Sequence, residues 1–231
     1  MTRPPTHDVS ATAGDTCRGP AAGAPVPRRV VALRWGLGGL IAAPFAILPH
    51  EAAHYLVLLA LGVPDLALHH AAVTWDLREF WEAIQRADFD GAAAVAPIWG
   101  VALSDAMGPI ATCGIVVGCC YGCARWRPYP ALVAVALLSQ FRIRAGARHV
   151  VRESLGIDTP ANYDELRVAA LTGIPVEVLV GFALLTLLVS GIWLARFFPR
   201  GRRLVAVASM AAGMVAGLYL YFGVVGPWLL P

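Results

Sequence analysis

Long apolar stretches alternate with short polar segments along the chain, starting near residue 30. Five stretches approach or exceed the length of a membrane span: 30–62, 92–123, 129–147, 171–198 and 204–230. A spanning helix needs about 20 mostly apolar residues. The pattern therefore predicts an all-α polytopic membrane protein, with about five transmembrane helices in a single domain over residues 30–231. In the last stretch Gly213 and Gly217 have the spacing of closely packed membrane helices.

The segments outside these stretches predict smaller features. Residues 1–29 are rich in Pro, Ala, Gly and Thr without apolar periodicity, which predicts a disordered tail. Residues 66–75 have strand-like character, and residues 76–87 could form a surface helix. Pro44 and Pro49 are expected to kink the first helix, because proline removes a helical hydrogen bond.

Composition supports a membrane protein. The chain is 58% hydrophobic and 14% charged, whereas a soluble domain carries about 25% charged residues. The net charge of +3 comes from arginines alone, and they are spread over the connecting segments. No basic patch is interleaved with aromatic residues, so we expect the lipid bilayer and not nucleic acid as a partner.

The first stretch contains an unusual group of ionisable side chains, His50, Glu51 and His54. Positions i and i+4 share one face of a helix, so both imidazoles can bind one metal ion, and Glu51 can reach its water. An acidic side chain at the centre of a membrane helix costs roughly 2.5–3.5 kcal/mol, and such residues are usually functional. The motif therefore predicts a Zn²⁺ site, with His50 and His54 as ligands and Glu51 as the general base.

A catalytic zinc site usually has three protein ligands and one open position. The third ligand must come from another part of the chain, and spacing alone does not choose it. The candidates are His69, His70, His149, Asp105, Asp158 and Asp164. Among them Asp105 is notable because it lies within an apolar stretch.

Three segments together resemble the site-2 protease family of intramembrane zinc metallopeptidases, in its compact bacterial branch. They are PHEAAHYL at 49–56, AMGPIA at 106–111 and YDELRVAALTGIP at 163–175. The segment at 106–111 is similar to the small-residue Gly-Pro turn of that family, and the segment at 163–175 is similar to its Asp-led segment. The resemblance implies Asp164 as the third zinc ligand, with Asp158 and Asp105 as alternatives, and a multi-pass protein of a bacterial cell membrane.

The sequence also departs from the family pattern. Many members have glycine before the second histidine, where this chain has Ala53. The Asp-Gly pair of larger members is absent, because Glu165 follows Asp164. No PDZ-like domain is expected. These departures bear more on proteolytic activity than on the zinc site.

Motif and resemblance together predict a zinc metalloendopeptidase that hydrolyses peptide bonds of membrane-embedded or membrane-adjacent protein substrates. The alternative is a non-proteolytic multi-span protein, such as a transporter subunit or scaffold, with a vestigial or chance HExxH motif. A transporter would be expected to show internal repeats, and the sequence shows none. A zinc enzyme acting on a lipid is a third possibility.

Overall fold

The computed structural model describes residues 26–126, 129–140, 143–157 and 163–230, and most of them are helical. The predicted disordered tail, 1–29, lies almost wholly outside the described residues. The helices are α1 (Arg28–Leu40), α2 (Ala42–Ala60), α3 (Arg78–Gln85), α4 (Phe89–Val95), α5 (Ile98–Arg125), α6 (Pro130–Ser139), α7 (Ile143–Ser154), α8 (Asp164–Thr172), α9 (Val176–Leu194), α10 (Arg203–Leu220) and α11 (Gly226–Leu229).

Within the described residues, four helical segments are long and apolar enough to cross a membrane: Arg28–Ala60, Ile98–Arg125, Val176–Phe197 and Arg203–Leu229. The predicted all-α polytopic fold class is confirmed. The predicted span 129–147 is not one of these four segments. Its apolar helix α6 has only ten residues, about 15 Å of helix against a hydrocarbon core of about 30 Å.

Helices α1 and α2 form one apolar segment that is interrupted at Ile41. Proline lacks the N–H that bonds the carbonyl four residues earlier, and its ring crowds that carbonyl. Pro44 acts in this way on Leu40, the last residue of α1. The break therefore lies just before Pro44, as the sequence predicts, whereas α2 continues through Pro49.

A small antiparallel hairpin follows the first span. Strand β1 (Ala67–Leu68) pairs with β2 (Val73–Thr74), so the strand-like prediction for residues 66–75 is confirmed over two short strands. Helix α3 confirms the predicted surface helix. It is anchored by the fully buried Phe80, which belongs to a small apolar cluster with residues of α4 and α5.

The hairpin is tied to the C-terminal end of the last span. That span changes from α10 into a π-helical turn, Tyr221–Val225, before α11. The Tyr221 hydroxyl donates a hydrogen bond of 2.6 Å to the carbonyl of His70. The backbone N–H of the same His70 donates to the carbonyl of Leu230, at the end of the last span, at 3.3 Å. These bonds hold the turn between the strands against the final helix.

Helix α1 packs closely against α10, and glycines make this approach possible. A Cβ built on Gly213 would lie 2.1 Å from the carbonyl oxygen of Gly36, and one built on Gly217 would lie 2.2 Å from that of Leu40. Both distances are far inside van der Waals contact. The interpretation of the two glycines as helix-packing residues is confirmed. The central helix α5 packs on α2, α6 and α8.

This packing gives a first prediction. Gly213→Ala should destabilise the protein by about 1–3 kcal/mol, because the added methyl overpacks the α1–α10 contact. The matched control is Gly114→Ala in α5, where an added Cβ meets nothing within 4 Å. Thermal unfolding in detergent should show a lower midpoint for Gly213→Ala and an unchanged or slightly higher midpoint for the control. Equal midpoints would contradict the packing.

Candidate metal centre

Three candidate ligands from two distant parts of the chain meet at one point. His50 and His54 are both buried on α2. The Nε2 atom of His50 lies 3.1 Å from Nε2 of His54 and 3.1 Å from Oδ2 of Asp164. The distance from Nε2 of His54 to the same carboxylate oxygen is 3.5 Å. Among the described residues these three side chains form the group that could hold a metal ion.

Asp164 reaches the histidines because it is the first residue of α8, which packs on α5. Tyr163 before it is extended, and α8 ends at Gly173, whose φ of +73° is the left-handed conformation that favours glycine. Burial, reinforced by nearby glutamates, raises the pKa of Tyr163 to about 12. The phenol beside Asp164 is therefore neutral at physiological pH.

The Nδ1 atom of each histidine also has a hydrogen-bond partner on α5. The Nδ1–H of His54 donates to the carbonyl of Ser104 at 2.7 Å. The Nδ1 of His50 lies 2.8 Å from the hydroxyl of Thr112. A carbonyl only accepts, which assigns the Nδ1–H tautomer to a neutral His54 and leaves the Nε2 lone pair towards the cluster. Metal-binding histidines are typically oriented by such bonds.

The geometry fits a small tetrahedral cation. A cation between the two imidazole nitrogens and the carboxylate oxygen would be attracted to all three groups. Zn–N and Zn–O bonds of about 2.0–2.1 Å in tetrahedral geometry place ligand atoms roughly 3.3 Å apart. The three atoms here are 3.1–3.5 Å apart. The Asp164 side chain is 16% exposed, so the cluster is reachable from outside.

Gly108 on α5 leaves open space beside the Nε2 atoms of both histidines. A Cβ built on this residue would lie 2.1 Å from Nε2 of His54 and 2.6 Å from Nε2 of His50. Every other amino acid would therefore fill the position toward which both ligating nitrogens point. The turn expected at Gly108-Pro109 is wrong, because α5 continues through both residues as a helix.

Glu51 is buried beside the cluster, with 7% of its surface exposed. It interacts electrostatically with His54 and Asp164. It follows His50 directly on α2, so its carboxylate lies near the ligating atoms without being one of the three. The motif predicts Glu51 as the general base, and that role stays a prediction.

The other sequence candidates lie elsewhere. Asp105 is buried in α5 and forms an ion pair with Arg167, at 3.8 Å, outside the His–His–Asp group. His69 contacts Thr74 in the hairpin, and His70 contacts Leu230. Asp158 and the side chain of His149 lie outside the described residues.

Sequence reasoning missed the residues of α5 that support the histidines. Ser104, Gly108 and Thr112 follow one another at intervals of four, so they share one helix face. Ser104 bonds to His54, Thr112 bonds to His50, and Gly108 lies beside the Nε2 atoms of both. A stripe of small and polar residues within an apolar helix was the available signal, and it predicts a helix that faces a polar site.

Comparison with protein-family models, curated proteins and solved structures finds no match to this chain. The candidate site therefore stands on its own geometry and chemistry.

The space at Gly108 gives a second prediction. Gly108→Ala should abolish Zn²⁺ binding, because its methyl group occupies the position between the ligating nitrogens. Gly118→Ala in the same helix is the matched control, since an added Cβ there meets nothing within 4 Å. Zinc titration of the purified proteins checks this. Full zinc occupancy in Gly108→Ala would show that no ion lies against α5.

The bond to Thr112 gives a third prediction. Thr112→Val keeps the shape of the side chain but removes the partner of His50 Nδ1, and should weaken zinc binding about 10–100-fold. Thr186→Val is the control, because its hydroxyl donates to the carbonyl of Phe182 on α9. A chelator competition assay measures both dissociation constants. The same constant for Thr112→Val and wild type would exclude an orienting role.

Proposed function

We propose that the chain is an intramembrane zinc metalloendopeptidase of the site-2 protease type. His50, His54 and Asp164 would hold Zn²⁺, and Glu51 would act as the general base. The observation that carries the proposal is the convergence of the three ligating atoms within 3.1–3.5 Å. It occurs inside an apolar helical protein and directly beside a buried glutamate.

The proposed cofactor agrees with the donor set. Two imidazoles and one carboxylate are the ligands of many zinc peptidases, and a fourth position stays open for catalysis. When bound, zinc supplies Lewis acidity that polarises a carbonyl and lowers the pKa of water toward about 7. The hydrogen bonds to Ser104 and Thr112 would hold both rings in the binding orientation.

Glu51 would move the proton in this reaction. Its carboxylate would accept a proton from the attacking water and deliver it to the nitrogen of the leaving amine. The carbon–nitrogen bond breaks as that nitrogen is protonated, so one carboxylate serves both steps. Burial of Glu51 keeps bulk water from competing for the proton.

The surroundings favour a substrate that is partly within the membrane. A cavity of about 330 Å³ lies between α5, α8 and α9, with an almost entirely apolar lining that includes Pro109, Val168 and Phe182. Pro109 follows Gly108, and Val168 lies one turn after Asp164, so the cavity adjoins the elements that form the centre. Its volume would accommodate a large apolar side chain of a membrane-embedded or membrane-adjacent segment.

The protein would be a multi-pass protein of a bacterial cell membrane. Four helices have the necessary length and apolar character. Their polar interior at His50, Glu51 and Asp105 is more readily explained by function than by stability, because buried ionisable groups in membrane segments are costly.

The fourth prediction separates zinc binding from catalysis. Glu51→Gln should keep stoichiometric zinc and lose cleavage by at least about 100-fold, because general acid–base catalysis contributes 10²–10⁴-fold. Single-span peptides in proteoliposomes that contain the purified protein are the substrate probe, and mass spectrometry of new N-termini is the readout.

His50→Ala is the matched comparison, and it should lose both zinc and cleavage. Glu51→Gln with wild-type cleavage would refute the general-base role. Zinc-loaded wild-type protein that cleaves none of the peptides would favour the non-proteolytic alternative, a membrane scaffold or transporter subunit that keeps a metal site.

A further inference from the structure

Helix α8 carries a second charged side chain one turn after Asp164. Arg167 lies at the i+3 position, on the same side of the helix. Its guanidinium Nη1 lies 3.8 Å from Oδ1 of Asp105 on α5. The ion pair between Arg167 and Asp105 therefore joins α8 to α5, one helical turn from Asp164, which would bind the metal.

Asp105 has an unusual environment. Its side chain is 1% exposed, within an apolar helix long enough to span a membrane. In the part of the chain that the structure describes, neither carboxylate oxygen has a hydrogen-bond partner. A buried charge without compensation is strongly destabilising, so the arginine opposite it is the main compensating charge.

Arg167 also contacts an aromatic ring on α3. Its guanidinium carbon lies 5.6 Å from the centre of the Trp81 ring on α3, within the range of a cation–π interaction. Leu171, one turn further along α8, packs against the same apolar cluster as Trp81. The arginine thus joins α8 to two separate elements, α5 and α3.

We propose that Arg167 is a positioning residue for the metal centre, which fixes Asp164 at ligand distance by locking α8 against Asp105 and Trp81. This inference rests on the proposed metal site and adds a residue that the HExxH motif and the Asp-led segment do not identify. Arg167 touches neither metal nor substrate in this account and acts through Asp164.

The charges explain why each partner matters. Without Arg167, the carboxylate of Asp105 is left uncompensated close to Asp164, with which it interacts unfavourably. Without Asp105, the guanidinium can form an ion pair with Asp164 one turn away, and it then competes with a metal ion for that carboxylate. Removing both partners avoids both effects, so the double variant should be less impaired than the sum of the single variants.

The test is Zn²⁺ affinity of the purified full chain, measured by competition with a chromophoric chelator. Arg167→Gln should raise the dissociation constant about 10–100-fold, as loss of an outer partner of a metal site does. Its Co²⁺ complex should lose the absorption of a four-coordinate site. The matched control is Arg196→Gln, because Arg196 also stacks on a tryptophan, Trp193, but far along the chain from the centre.

Further variants make the result decisive. Arg167→Lys keeps the charge and should recover most of the lost affinity. Asp105→Asn removes a buried charge, so it should fold even if Arg167→Gln does not, and it should also bind zinc more weakly than wild type. Combining Asp105→Asn with Arg167→Gln should restore part of the affinity.

Wild-type zinc affinity and Co²⁺ absorption in Arg167→Gln or in Asp105→Asn would overturn the positioning role. So would strictly additive losses in the double variant, or a loss of affinity that Arg196→Gln reproduces. A wild-type protein that binds no zinc would refute the metal centre itself, and the role of Arg167 with it. Zinc bound by wild type and unchanged in the variants would refute the positioning role alone.

Discussion

The convergence of His50, His54 and Asp164 at one point is the constraint on which the arrangement of α2, α5 and α8 depends. Two ring nitrogens and a carboxylate oxygen lie within 3.1–3.5 Å of one another, inside an apolar protein where charge is poorly screened. A positive charge at the centre would be attracted to all three groups. The proposed metal supplies that charge, and the surrounding helices hold the three groups in place to receive it.

Helix α5 contributes most to this arrangement. One of its faces lies against the histidines. On this face Ser104 and Thr112 are hydrogen-bond partners of the two rings, and Gly108 leaves space beside them. Asp105, next to Ser104, faces Arg167 on α8 instead. The same helix therefore contacts both histidines of α2 and is joined by an ion pair to α8, which carries Asp164. The hairpin and α3 lie at this end of the molecule, where Trp81 contacts Arg167.

The sequence predicts the elements that depend on local pattern. Apolar runs identify the spanning helices, and the i, i+4 spacing correctly places His50 and His54 on one face. Asp164 is different, because the meeting of residues 114 positions apart depends on how α8 packs on α5, and only the family resemblance singled it out. Hydropathy also predicts a span at residues 129–147, where the structure has an apolar helix of ten residues that ends at Ser139 and a more polar helix that begins at Ile143. Gly108 was expected at a turn, yet it is a helical residue whose missing side chain leaves space beside the Nε2 atoms of both histidines.

The most direct test of the central claim is the X-ray absorption spectrum of the zinc-loaded, purified protein at the zinc edge. Zinc bound by His50, His54 and Asp164 should show a first shell of nitrogen and oxygen at about 2.0–2.1 Å, with the multiple scattering of two imidazoles. Asp164→Ala should lose one oxygen from this shell. Sulfur at about 2.3 Å, which would place the ion at cysteines such as Cys119 and Cys123 on α5, or a protein that retains no zinc, would contradict the account.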